Sequence, residues 1–265
     1  MEPASILVEI YGNIDLFLLA TVRMIGFFII LPVFTGQNVP TAAKITVAAG
    51  VALITSMGGQ LERPLYDENV MGLFILMLQE FLTGFIIGFA VYLLFTIFYF
   101  VGQLIDYQIG FSMVSVYDPV SQIQAPITGN LYYLIMCAFF VMSGGLHRFV
   151  HAMCESYRIV PIGGAKILAN SSLMFLMVNM MIEYLIIGVQ IALPIVGTII
   201  IVDVALGVLV KAAPQMNIFV VGMPIKVFVG IIVLFLMIPT VSNVYAYLYE
   251  LLVSYTSNIL QGMAP

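Results

Sequence analysis

The sequence predicts an all-α, polytopic membrane protein of kinked helices and helical hairpins. Three observations carry that prediction. Apolar residues make up 63% of the chain and charged residues only 8%, against roughly 25% charged in an ordinary soluble domain. Mean hydropathy is +1.15. The few charges also stand far apart, leaving apolar runs long enough to cross a bilayer. A soluble protein of this composition would expose large bare apolar patches. A free cytosolic enzyme, a disordered chain and a secreted disulfide scaffold are therefore excluded.

The first residues, Met1 to Ser5, lack the basic region of a cleaved signal peptide, so the first apolar segment is expected to stay in the protein. Residues 24–43 carry no charge between Arg23 and Lys44. Joined to the apolar residues before Arg23, they predict a helix over about 12–34. Pro32, Gly36, Asn38 and Pro40 mark a turn. A second helix is expected over about 41–58, ending at Gly58-Gly59, and the acidic stretch 62–68 reads as a hydrated loop. Three later runs, 69–105, 172–210 and 216–260, are too long for one span each. At about 40 residues, a continuous helix measures roughly 60 Å, about twice the hydrocarbon core. Pro194 and Pro239 should kink or split two of them.

The stretch 106–130 is rich in Gly, Ser, Gln and Pro and predicts a long non-helical loop. A short helix is expected at about 131–143, closed by Gly144-Gly145, followed by an amphipathic segment up to Pro161. No Ser-, Gly- or charge-rich linker divides the 265 residues, so a single membrane domain over 1–265 is expected. The positive-inside rule sets no orientation, because the most basic loop falls on the same side as the acidic one.

Eight basic and thirteen acidic residues give a net charge of −5. No basic run exists, so neither nucleic acid nor a polybasic lipid patch is indicated. Cys137 and Cys154 match no disulfide framework or metal spacing by themselves. His147 and His151 share a helical face with Cys154 and Glu155 one turn on, a set able to ligate zinc. The plainer reading is an interfacial amphipathic helix with its ring nitrogens in water. No Gly-rich nucleotide loop and no GxSxG elbow is present, so neither catalysis nor a cofactor is expected.

Arg23, Glu80, Asp106, Glu183, Asp203, Lys211 and Lys226 lie in or beside apolar runs. Each costs about 2.5–3.5 kcal/mol at a bilayer-centred helix position, so each should face protein or water. They serve either as pairs fixing helices and subunits or as an ion pathway. Gly84 and Gly88 have the spacing of a close helix contact. Seventeen Met residues, among them Met113, Met174, Met177, Met180 and Met181, suit either irregular packing or a pliable seal around a passage.

The stretch from Gly207 to Gly230 resembles the FliR family, export-gate membrane proteins of bacterial flagellar type III secretion. The match is carried by Pro214, Gln215, Met216, Asn217, Ile218 and Phe219, then Gly222, Pro224, Lys226 and Gly230. Further family-like pieces occur in order: Arg23 with Pro32-Val33-Phe34; Glu80 with Gly84 and Gly88; Gly102-Gln103 and Asp106 with Gly110; Asp118-Pro119; Gly144 to His147; and Ser156-Tyr157 with Pro161. The similarity covers nearly the whole chain. Injectisome relatives, the SctT proteins, share much of the pattern, and Pro224-Ile225-Lys226 points to the flagellar branch.

The resemblance implies a structural subunit in the bacterial cytoplasmic (inner) membrane, in the flagellar basal body. It implies FliP-like and FliQ-like partners packed with this chain as a spiral, an FlhB-like subunit nearby, and unfolded export substrates. It also implies that Gly110, Phe111, Ser112, Met113 and Val114, running towards Asp118 and Pro119, plug a central pore. Gly110 tolerates unusual backbone, and Phe111 and Met113 offer apolar bulk. The alternatives are an injectisome gate subunit, or a secondary transporter or ion channel using the interior charges.

Overall fold

The computed structural model describes residues 14–35, 39–58, 61, 70–111, 126–167, 171–215 and 217–265. Helices form its regular structure, and no strand occurs among the described residues. Helix α1 covers Ile14–Ile30 and the single turn α2 covers Pro32–Thr35. They are followed by α3 (Thr41–Met57), α4 (Val70–Ile109), α5 (Ile127–Met142), α6 (Gly145–Ile159), α7 (Ser171–Ala212) and α8 (Ile218–Met263).

The helix expected over 12–34 is interrupted at Leu31. Pro32 has no N–H to continue the ladder, and its fixed φ suits the first position of the next turn. The three long runs are single helices of 40, 42 and 46 residues. Pro194, Pro224 and Pro239 lie inside them, so of the kink or split expected at Pro194 and Pro239 the split does not occur. In apolar surroundings, unwinding would strand backbone groups without water, whereas a proline inside an intact helix frees only one carbonyl. The hydroxyls of Thr198 and Ser242 bond the carbonyls of Pro194 and Pro239 at 2.7 and 2.9 Å. The open stretch expected over 106–130 is also trimmed at both ends, since α4 runs to Ile109 and α5 begins at Ile127.

The chain divides into two compact units. The first gathers Met1–Leu93, Phe140–Met180 and Leu251–Pro265, and the second gathers Leu94–Phe139 and Met181–Glu250. In the first unit α1 packs on α3 and on the early part of α4, around Leu19, Met24, Phe27, Phe28, Ala48, Ala52 and Ile87. A Cβ on Gly84 would lie 1.9 Å from the Arg23 carbonyl oxygen, and one on Gly88 2.9 Å from that of Phe27. Both glycines therefore mark a backbone-to-backbone helix contact, the geometry that small residues permit in apolar surroundings. Helix α6 turns Phe149, Met153, Ser156 and Tyr157 inward, while His147, Arg148, His151 and Arg158 are exposed. A non-helical strap, residues 160–167, follows it.

In the second unit the end of α4 and the start of α5 form an antiparallel hairpin. The rings of Tyr99 and Tyr133 are 4.9 Å apart, and a Cβ on Gly102 would lie 2.0 Å from the Gly129 Cα. Helix α7 meets α4 where Gly188 sits on Ile97, and α8 meets it where Gly230 sits on Ile109. Phe139 stacks on Tyr245 at 5.6 Å.

Helices α4, α7 and α8 are each long and apolar enough to cross a membrane, and α5 with α6, bent by 67°, make a fourth candidate if they act as one span. The most apolar windows of α7 and α8 are only 28% and 11% buried within the chain. Phe175, Ile201, Val204, Phe228, Phe235 and Leu236 stand exposed on them.

Candidate functional site

A charged centre in the first unit is built on Arg23 and Glu80, both fully buried. Arg23 Nε donates to Glu80 Oε2 at 2.5 Å, and its Nη1 donates to the Val160 carbonyl at 3.0 Å and to Ser156 Oγ at 3.3 Å. The guanidinium lies 4.3 Å from the Tyr157 ring centroid, a cation–π contact. The Tyr157 hydroxyl donates to the Ala20 carbonyl at 2.9 Å. The second oxygen of Glu80 accepts the Gly163 N–H at 2.9 Å. Next to it, Gln79 Nε2 donates to the carbonyls of Ala165 and Gly163, and the Lys166 N–H reaches the Met263 carbonyl at 3.0 Å. The strap after α6 is therefore held by Arg23 of α1, by one turn of α4 and by the end of α8. Sequence reasoning selected Arg23 and Glu80 but missed Gln79 and the strap. The only signal for the strap was its Pro-x-Gly-Gly spelling, a turn signature.

A second charged cluster lies in the second unit. Lys226 on α8 pairs with Asp203 on α7, and Gln108 on α4 donates to the other Asp203 oxygen at 3.3 Å. Three long helices are joined at that level. Glu183 is half-buried and Lys211 is exposed. Lys211 stands one residue before the end of α7, and its exposed side chain fits the expectation that it faces protein or water.

Asp106 is buried but faces no cation among its hydrogen-bond partners. It accepts the Thr128 N–H at 3.1 Å and the Thr128 hydroxyl. Gly110, just past α4, has φ +101°, the left-handed backbone that suits glycine at a helix end. Phe111 is half-buried. Ser112, Met113, Val114, Asp118 and Pro119 lie outside the described residues.

The motif after α7 is a helix-to-helix turn. Pro214 and Gln215 form the turn, with proline in the position that stops a helix. The Asn217 carbonyl accepts from Val220 and Val221 at 3.1 and 3.3 Å, which starts α8, and asparagine is a favoured N-cap residue. Pro224 lies exposed inside α8, and Met216 and the Phe219 side chain lie outside the description. His147 and His151 stay exposed on α6, and the Thr55 hydroxyl donates to Cys154 Sγ at 3.5 Å. No cluster of three or more His, Cys, Asp or Glu side chains suited to a metal ion exists among the described residues.

A cavity of about 420 Å³ opens in the second unit among α4, α5, α7 and α8, lined by Phe98, Tyr132, Ile191, Pro194, Val241 and Tyr247 among others.

Long apolar helices, internal ion pairs and backbone-close glycine contacts define a polytopic all-α membrane protein. The family of bacterial export proteins, family 1, matches residues 14–252, and the chain belongs to it. Over 248 residues it is 28% identical to the flagellar biosynthetic protein FliR of Bacillus subtilis (strain 168), covering 92% of this chain and 94% of that one. Identity to FliR of Escherichia coli (strain K12) is 24% over 252 residues, with 94% of each covered. The surface presentation of antigens protein SpaR of Shigella flexneri is 28% identical over 221 residues, with 83% of each covered. The resemblance to the FliR family read from the motifs is thereby confirmed, and the chain is a membrane component of a type III export apparatus.

Proposed function

We propose that this chain is a structural, non-enzymatic subunit of the flagellar type III export gate in the bacterial cytoplasmic membrane. The whole chain serves as one gate domain and forms and closes the pore for unfolded flagellar substrates, together with FliP-like and FliQ-like subunits and an FlhB-like neighbour. One observation carries this reading: an export-family match over residues 14–252 coincides with α7 and α8 windows only 28% and 11% buried within the chain itself. Such faces need either lipid or sibling helices, and helices well beyond ~30 Å exceed what lipid alone covers. Pore closure is assigned to Gly110, Phe111, Ser112, Met113 and Val114, running towards Asp118 and Pro119. Support comes from the left-handed turn at Gly110 and from the apolar side chains that follow it. Arg23, Glu80, Glu183, Asp203, Lys211 and Lys226 are assigned to assembly, within the chain or with partners. Pro214, Gln215, Asn217, Phe219 and Pro224 shape the α7–α8 connection.

Deleting the gene should abolish export of hook and filament proteins and leave general secretion intact. A deletion strain that still exports them overturns the reading. Deleting residues 110–114 should make the assembled gate leak ions, and unchanged membrane conductance would count against the plug. The similarity to SpaR supports a second reading, an injectisome gate. In that case the deletion strain keeps its flagella and loses secretion of effector proteins.

A further inference from the structure

The two helices that flank residues 111–126 are tied together by one side chain. The Asp106 backbone carbonyl accepts the Gly110 N–H at 3.0 Å, closing the end of α4. Its carboxylate meanwhile accepts the N–H of Thr128, in the first turn of α5, at 3.1 Å, together with the Thr128 hydroxyl. Asp106 therefore caps two helix ends at once, the C-terminus of its own helix and the N-terminus of the returning one. The first-turn N–H groups of a helix lack intrahelical acceptors, and a carboxylate is the acceptor that also suits the helix dipole. One turn before it, Gly102 meets Gly129 backbone to backbone, and Tyr99 meets Tyr133. Three successive contacts thus converge on the point where the stems open, and the last is a set of hydrogen bonds between one carboxylate and one threonine.

We propose that Asp106 is a positioning residue that clamps the two stems of the 111–126 connection at a fixed separation. Thr128 serves as its receptor, and the hydrogen bonds rather than the negative charge do the holding. The consequence for ion leakage rests on the plug reading above. The clamp itself does not.

The test uses full-length protein, purified with its partner subunits, with Cys137 and Cys154 replaced by alanine. Nitroxide labels go on cysteines at the exposed positions Tyr107 and Leu131, and their separation is measured by pulsed electron spin resonance. The background protein should give one narrow distance peak. Asp106→Ala should lose that peak to a broad, longer distribution, Thr128→Val should broaden it partly, and Asp106→Asn, which keeps an acceptor oxygen, should restore it. An unchanged peak in Asp106→Ala, or in Thr128→Val where Asp106→Ala does not fold, overturns the clamp. Loss of the peak in Asp106→Asn overturns the hydrogen-bond mechanism. Because Thr128→Val exchanges a hydroxyl for a methyl of similar size and keeps the backbone N–H, it keeps the test decisive if Asp106→Ala fails to fold. A lost peak without ion leakage in cells leaves the clamp standing and counts against the plug.

Discussion

Arg23 and Glu80 have no solvent to fall back on. Each is fully buried, and Arg23 Nη2 has no hydrogen-bond partner among the described residues. Removing one member of such a pair leaves a buried charge uncompensated and costs about 3–5 kcal/mol. Arg23→Ala or Glu80→Ala should therefore destabilise the purified protein by that amount in a denaturant titration. Replacing both with apolar residues of similar volume should cost less than the two single changes added together. The double change should still free the strap, because Glu80 also holds the Gly163 N–H. Faster proteolysis at residues 160–167 reads that effect separately. If both single variants unfold like the parent, the centre contributes nothing to stability.

At the scale of elements, the Asp203–Lys226 pair joins α7 to α8 and, through Gln108, to α4. The side chains are 37% and 25% exposed within this chain, and on membrane-spanning helices that exposure meets lipid or a neighbouring subunit rather than water, so the pair is not screened as a surface pair would be. Single charge reversals should weaken co-purification with partner subunits, and the double reversal, Asp203→Lys with Lys226→Asp, should recover it. Undiminished co-purification of the single variants would remove these residues from assembly. The long helices were legible from their charge-free runs, and the α7–α8 turn from its proline and asparagine. Continuity through Pro194 and Pro239 was not, because it depends on the absence of water around the helix. The early start of α5 was hidden too. Its cap is Asp106, more than twenty residues upstream, and a local reading of Pro126 and Gly129 predicts a loop. The partners of Glu80 lie on other elements, so its chemistry could be guessed from sequence but its role in holding the strap could not.

At the scale of the molecule, apolar content first indicates lipid. Packing changes that reading, for α4 is 61% buried in its most apolar window while α8 is 11% buried. Surface of that kind is covered in the cell by lipid or by neighbouring subunits, and the export-gate account requires the latter over much of α7 and α8. The most direct measurement is the mass of the complex recovered when this chain is co-expressed with its neighbouring export genes and purified through a tag. The account predicts a discrete assembly holding this chain with several copies of FliP-like and FliQ-like subunits. Recovery of this chain alone, surrounded only by detergent and lipid, would contradict it.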